Sequence, residues 1–127
     1  MIFKQVFDRK SSTYTYLIAS SQGREALFID PVLDNVESYI KLLQELDLKL
    51  VKVIDTHIHA DHVTAATKLK DITKCSTIMG EHTPAESVEI KVKDDEYISL
   101  DNLKIKAMYT PGHTSDSYSF LMDNYLF

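Results

Sequence analysis

The stretch Leu50-Val51-Lys52-Val53-Ile54 runs, within three residues, into His57-Ile58-His59-Ala60-Asp61-His62. No other part of the chain limits its fold as narrowly. A short run of apolar, β-branched residues reads as a buried strand. A buried strand delivers the next residues of the chain to the edge of its sheet. Here those residues include four side chains able to bind metal: His57, His59, Asp61 and His62. Neutral imidazole suits zinc, iron and manganese, and a carboxylate adds charge for the same ions. In extended backbone, positions i and i+2 point to one side, so His57 and His59 can converge on one ion. Asp61 and His62 fall where the pattern turns helical at Ala65, Ala66 and Leu69, facing the same ion or a second beside it. One histidine in a polar loop carries little meaning. Here three of the chain's five histidines share one six-residue window, which is the density that metal chemistry requires.

The remaining elements are taken in chain order. Ile2–Phe7 has strand character and is broken by Ser11-Ser12. Thr13-Tyr14-Thr15-Tyr16-Leu17-Ile18 is β-branched and aromatic, a strand signal; its tyrosines are read as packing residues, with a substrate platform as the alternative. Ser21-Gln22-Gly23 makes a hairpin turn, and Ala26–Ile29 returns as a buried strand ended by Asp30-Pro31. Val36, Tyr39, Ile40, Leu43 and Leu46 repeat at helical spacing, with Asp34 or Asn35 as the expected cap. A second helix is expected over about Ala65–Ile72, and a short strand over Ser76–Met79. His82 is read as a surface loop residue and 87–95 as a solvated charged segment. Tyr97–Leu100 and Leu103–Met108 flank Asp101-Asn102 as a hairpin with one wet face, carrying Lys104 and Lys106. Thr110-Pro111-Gly112-His113 bends tightly and presents His113 from a strand end. Tyr118–Met122 and Tyr125–Phe127 form the arms of a last hairpin.

Composition narrows the function classes. A chain of 127 residues is one domain by the usual size prior and long enough to bury a core. A net charge of -5 argues against a general nucleic-acid binder, which needs a basic face. The single cysteine, Cys75, allows no internal disulfide and fits a reducing compartment. There is no signal-peptide pattern and no run of membrane-spanning length, so the expected location is the cytoplasm, with no membrane partner.

His-x-His-x-Asp-His after one strand and Pro-Gly-His after a later one resemble the metallo-β-lactamase superfamily. The resemblance covers the whole chain and implies an α/β fold, an αββα sandwich with a metal site at one edge. Within the superfamily the chain is most similar to the persulfide dioxygenase branch, alongside glyoxalase II. Ser11–Tyr16, Asp30-Pro31-Val32 and His59-Ala60-Asp61-His62-Val63-Thr64 carry that similarity, with Thr64-Ala65-Ala66 where glyoxalase II tends to have glycines.

The resemblance implies His57, His59 and His113 as ligands of a first metal site, and Asp61 and His62 as contributors to a second. In the dioxygenase branch it implies Fe(2+) held by two histidines, matching His57 and His113, and an aspartate from a later Thr-Gly-Asp motif. A face of two histidines and one carboxylate leaves positions open for dioxygen and a substrate thiolate. The implied reaction turns glutathione persulfide and dioxygen into sulfite and glutathione. The alternatives are a Zn(2+)-dependent glutathione thioester hydrolase, with Asp61 also orienting the nucleophile, and a non-catalytic module. The Thr-Gly-Asp motif and a further metal histidine are not in the chain. It therefore resembles the N-terminal half of the family's fold, a single incomplete domain over 1–127. The strand pattern ending at Phe127 leaves either a truncated chain or a homodimer through C-terminal edges as the expectation.

Overall fold

The structure, a computed structural model, describes residues 1–57, 60–84, 88–112, 114–123 and 125–127; along 60–64 it describes the backbone alone. Three antiparallel strands open the chain: β1 (Ile2–Asp8), β2 (Thr13–Ala19) and β3 (Glu25–Ile29). The pattern then changes to strand–helix–strand. A 3-10 turn (Leu33–Asn35) leads into α1 (Val36–Glu45), followed by β4 (Lys49–Ile54), α2 (Ala60–Thr73), β5 (Ser76–Gly80) and β6 (Ile90–Val92). Strands β3 to β6 are mutually parallel, and the first sheet has the order β1-β2-β3-β4-β5-β6. The hairpin β7 (Tyr97–Leu100) and β8 (Leu103–Tyr109) continues into β9 (Tyr118–Met122) and β10 (Tyr125–Leu126). These form a second, antiparallel sheet in the order β10-β9-β8-β7.

Two cores explain the layering. Ile18, Leu27, Ile29, Ile54 and Ile78 of the first sheet meet Ile98, Ile105, Ala107 and Phe120 of the second. On the other face Leu17, Phe28, Leu50 and Val53 meet Val36, Tyr39 and Leu43 of α1 and Ala66 and Leu69 of α2. Tyr39 is almost fully buried, with its ring 4.9 Å from that of Phe28. Its hydroxyl accepts the Val32 N–H at 2.9 Å and lies 3.1 Å from Thr15 Oγ1, so the one polar atom of this large side chain is satisfied. Both α-helices thus cover one face of the first sheet. The wet face expected between β7 and β8 is present, with Lys104 exposed and Ile105 and Ala107 buried. Among the described residues no helix is long and apolar enough to cross a membrane.

Three expectations need correction. Asn35 stands at the N-cap of α1 without a side-chain cap bond; its amide instead donates to Asp8 Oδ1 at 3.1 Å, tying the helix start to the end of β1. Helix α2 begins at Ala60, five positions before the apolar periodicity starts, because its first turn carries metal-type side chains in place of core ones. The segment 87–95 holds β6, an edge strand in which Val92 alone turns into the core, too little alternation to betray it.

Close packing also fixes Gly80. A Cβ there would lie 1.9 Å from Cδ1 of Tyr118, so the tyrosine ring rests directly on the glycine backbone.

Candidate metal centre

Parallel strands β3, β4 and β5 all end at the same edge of the sheet, the place where open α/β sheets gather their ligands. Asp30 follows β3, Asp55-Thr56-His57 follows β4, and Glu81-His82 follows β5. Asp30 takes the left-handed conformation (φ 53), which aspartate tolerates better than most residues, and its N–H donates to the Ile54 carbonyl at 2.8 Å. The turn aims the carboxylate at Thr56. Oδ1 accepts the Thr56 N–H and Oδ2 accepts the Thr56 hydroxyl, both at 2.8 Å. Burial pushes the Asp30 carboxyl up to about 6, against the downward pull of the two bonds from Thr56. At neutral pH it is therefore ionised and can only accept.

That assignment propagates to the ring of His57. Thr56 Oγ1 lies 3.0 Å from His57 Nδ1. Its single proton is given to Asp30, so the imidazole supplies the other one: Nδ1–H donates to Thr56, and Nε2 is the ring's lone-pair nitrogen. This is the hydrogen bonding that a metal-ligating histidine needs, with one nitrogen anchored as donor and the other presented to the ion. The chemistry of His57 therefore fits a metal ligand through Nε2. Motif spacing alone passes over Asp30 and Thr56, since neither stands in a cluster of ligand-type residues.

The second sheet is fastened to the same point. The Tyr118 N–H donates to the Thr56 carbonyl at 2.8 Å. Ahead of it, the connection from β8 to β9 bends at Gly112, just before His113 in the sequence. This connection is held by Tyr109 Oη donating to the Ser115 carbonyl at 2.8 Å and by the Thr110 N–H donating to the Ser117 carbonyl at 3.0 Å. His82 is half-exposed, as a surface reading expects, yet it sits at this edge: its ring stacks on Tyr109 at 4.0 Å and 19°. Asp55 is buried, and its Oδ1 has no hydrogen-bond partner among the described residues; burial and then the charge of Asp30 push its carboxyl well above the usual range.

Beside His57 lies a cavity of about 460 Å³, lined by Ser11, Ser12, Thr13, Tyr14, Tyr16, Asp30 and His57. Tyr14 and Tyr16 therefore do more than pack: they border the space next to the ligand-type histidine. Of the expected site residues, the structure places His57. His59 and His113 lie outside the described residues. Asp61 and His62 occupy the first turn of α2, with their side chains outside the description. Among the described residues no three His, Cys, Asp or Glu side chains form a metal-binding group.

The profile of the metallo-beta-lactamase superfamily matches residues 8–127. The chain belongs to that superfamily. Its mixed α/β sandwich is that family's fold. The mitochondrial persulfide dioxygenase ETHE1 of Bos taurus is 31% identical over 126 residues, covering 98% of this chain and 49% of the relative. The hydroxyacylglutathione hydrolase of Dictyostelium discoideum is 30% identical over 112 residues, covering 87% of this chain and 41% of the relative. The crystal structure of ETHE1 from Myxococcus xanthus superposes with a TM-score of 0.93 at 41% identity, covering 100% of this chain and 56% of that one. The chain spans about half the length of the curated relatives it matches.

Proposed function

We propose that the protein is a metal-dependent dioxygenase acting on glutathione persulfide: one persulfide, one dioxygen and one water give glutathione and sulfurous acid, the latter ionising to sulfite. The observation that carries this reading is the identity of 31% with a persulfide dioxygenase across 98% of the chain. The 41% identity with the Myxococcus protein at a TM-score of 0.93 supports it.

In this reading His57 and His113 hold iron, with His59 as a further ligand or a donor beside it. When bound, the iron supplies a Lewis-acidic, redox-active centre with open positions for the two reactants. The chain's own contribution is positional. Asp30 and Thr56 fix the tautomer of His57, and the bond from Tyr118 to Thr56 holds the two sheets in register at the site. The cavity bordered by Tyr14 and Tyr16 offers room for a substrate beside the ligand ring.

A second reading, hydrolysis of a glutathione thioester with zinc, is favoured by the identity of 30% with a hydroxyacylglutathione hydrolase. There Asp61 and His62 serve a second ion, and Asp61 orients the attacking hydroxide. Oxygen uptake with glutathione persulfide, set beside hydrolysis of lactoylglutathione by the same preparation, separates the two. Uptake without hydrolysis, together with iron in the purified protein, is the expected result. Hydrolysis without uptake, with zinc present, overturns the dioxygenase reading.

A further inference from the structure

We propose that His82 is a positioning residue for the metal centre. Acting through the ring of Tyr109, it braces the connection that carries His113 against the sheet that carries His57. The proposal rests on the reading of His113 as a metal ligand, and it adds a residue that the ligand motifs do not contain.

The turn after β5 is fixed by its own backbone. The Thr83 N–H donates to the Gly80 carbonyl at 3.1 Å, which closes the turn with Glu81 and His82 inside it. The Glu81 N–H donates to the Val92 carbonyl at 2.7 Å and ties the turn to β6. Thr83 itself is buried. The half-exposed ring of His82 thus stands on a held backbone. Its parent strand β5 lies beside β4 in parallel, so His57 and His82 leave neighbouring strands at one edge.

This turn grips two tyrosines of the second sheet. Gly80 takes the ring of Tyr118 directly on its backbone. The His82 ring stacks on that of Tyr109, with 4.0 Å between centroids and 19° between planes. The two tyrosine rings meet each other at 5.3 Å and 43°. Tyr109 ends β8 and Tyr118 begins β9. Both roots of the 110–117 connection are therefore seated on one turn of the first sheet.

Tyr109 passes the contact on. Its N–H donates to Asp94 Oδ1 at 2.8 Å, which fixes its backbone. Its hydroxyl donates to the Ser115 carbonyl at 2.8 Å, two positions after His113 in the sequence. Bonds such as that from the Thr110 N–H to the Ser117 carbonyl give the connection its own shape. The stack sets where that shaped connection sits. With the imidazole removed, the Tyr109 ring keeps Tyr118 as a neighbour but loses its flat contact, and the Ser115 carbonyl can move with it. The effect is bounded by what the stack is worth. An aromatic pair shifts an equilibrium about 2–10-fold, and apparent affinity follows the fraction of chains in the binding arrangement.

The test compares His82→Ala, which removes the stack, with His82→Phe, which keeps a flat ring and no imidazole. Metal-free protein is first followed by deuterium exchange. In His82→Ala the Thr110 amide should exchange about fivefold faster. The Lys49 amide, bonded to the Arg24 carbonyl at the other end of the sheet, should stay within about twofold. His82→Phe should match wild type at both. Chelator competition for Fe(2+) without oxygen then reads the metal centre. Affinity should fall about fivefold in His82→Ala and stay within about twofold in His82→Phe. Unchanged exchange at Thr110 in His82→Ala overturns the proposal, as does equal acceleration at Lys49, which marks general destabilisation. An equal loss of Fe(2+) affinity in the two variants overturns it too, since the imidazole itself would then be the contributor. Faster exchange with unchanged affinity leaves a structural brace and overturns the role in the metal centre. His113→Ala isolates the underlying reading. If that variant binds Fe(2+) as wild type does, His113 is no ligand and the reading of the metal site fails, while the brace seen in exchange stands.

Discussion

Replacing Asp30 by asparagine should stabilise the fold and weaken the metal site at once. In the metal-free protein burial raises the Asp30 carboxyl from 3.8 to about 6, a difference of about 3 kcal/mol between its two protonation states. The sign comes from proton binding. Between those two values the folded chain holds a proton that the unfolded chain has lost, so stability falls as pH rises through the window. Above about pH 6 the full cost of the buried charge is present; below about pH 4 it is gone. Asp30→Asn removes that cost, and it also removes the charge that helps push Asp55 up. Wild type and variant should therefore match at about pH 4, with the variant ahead by up to about 3 kcal/mol at about pH 8, a figure that already includes the opposing pull of the bonds from Thr56.

With His57 as a metal ligand, as proposed, metal affinity responds in the opposite direction. The asparagine carbonyl can still accept the Thr56 N–H, but its NH2 then faces Thr56 Oγ1 and donates to it. The threonine proton must turn to His57 Nδ1, which becomes an acceptor, and the imidazole proton moves to Nε2, where it blocks the ion. A disturbed hydrogen bond behind a histidine ligand typically costs about 10–100-fold in metal affinity. Urea unfolding of metal-free protein at pH 4 to 8 and a chelator competition for the metal measure the two effects. A stability difference that does not vary with pH, or a metal affinity within twofold of wild type, refutes the reasoning.

The same contacts set further expectations. Thr56→Val keeps shape and removes the relay, so metal affinity in the chelator competition falls while Asp30 loses one of its two bonds; an unchanged affinity would show that the relay does not govern His57. Gly80→Ala drives a Cβ into the Tyr118 ring and should cost about 1–3 kcal/mol in urea unfolding; a cost under about 0.5 kcal/mol, the spread of ordinary surface changes, contradicts that contact. Tyr39→Phe strips the acceptor from the Val32 N–H and should cost about 1–3 kcal/mol, read from the same titration. Leu126, on the outer strand of the second sheet and 63% exposed, is the contact expected to pair two copies. Leu126→Lys then lowers the light-scattering mass to that of one chain, and an unaltered mass speaks against that interface.

The strand before His57 was legible in the sequence because burial demands an unbroken apolar run. The histidine run stood out as a candidate because few other functions crowd histidines so closely, and of that run the structure describes His57. The hairpin of β7 and β8 was legible through its alternation of Lys104 and Lys106 with Ile105 and Ala107. The hidden features depend on tertiary contacts. Asp30 and Thr56 lie 26 positions apart and meet only because β3 and β4 are parallel neighbours. The pattern Asp30-Pro31 reads as a strand end, and nothing local says that its carboxylate faces a histidine relay. Asn35 looked like a cap because asparagine usually is one, but Asp8 outcompetes the helix for its amide. His82 looked isolated because its stacking partner, Tyr109, lies 27 positions later and in the other sheet.

The bond from the Tyr118 amide to the Thr56 carbonyl makes one proton a reporter for the entire site edge. Its exchange with solvent requires the start of β9 to part from the segment that carries His57, so it proceeds through an opening that separates the two sheets at that end. A ligand that spans this end lowers the population of that opening and slows exchange of the Tyr118 amide, while amides at the far end of the sandwich keep their rates. The chain thus carries an internal clock: deuterium uptake at one backbone position reads how firmly the two halves of its site are closed, without any assay of chemistry.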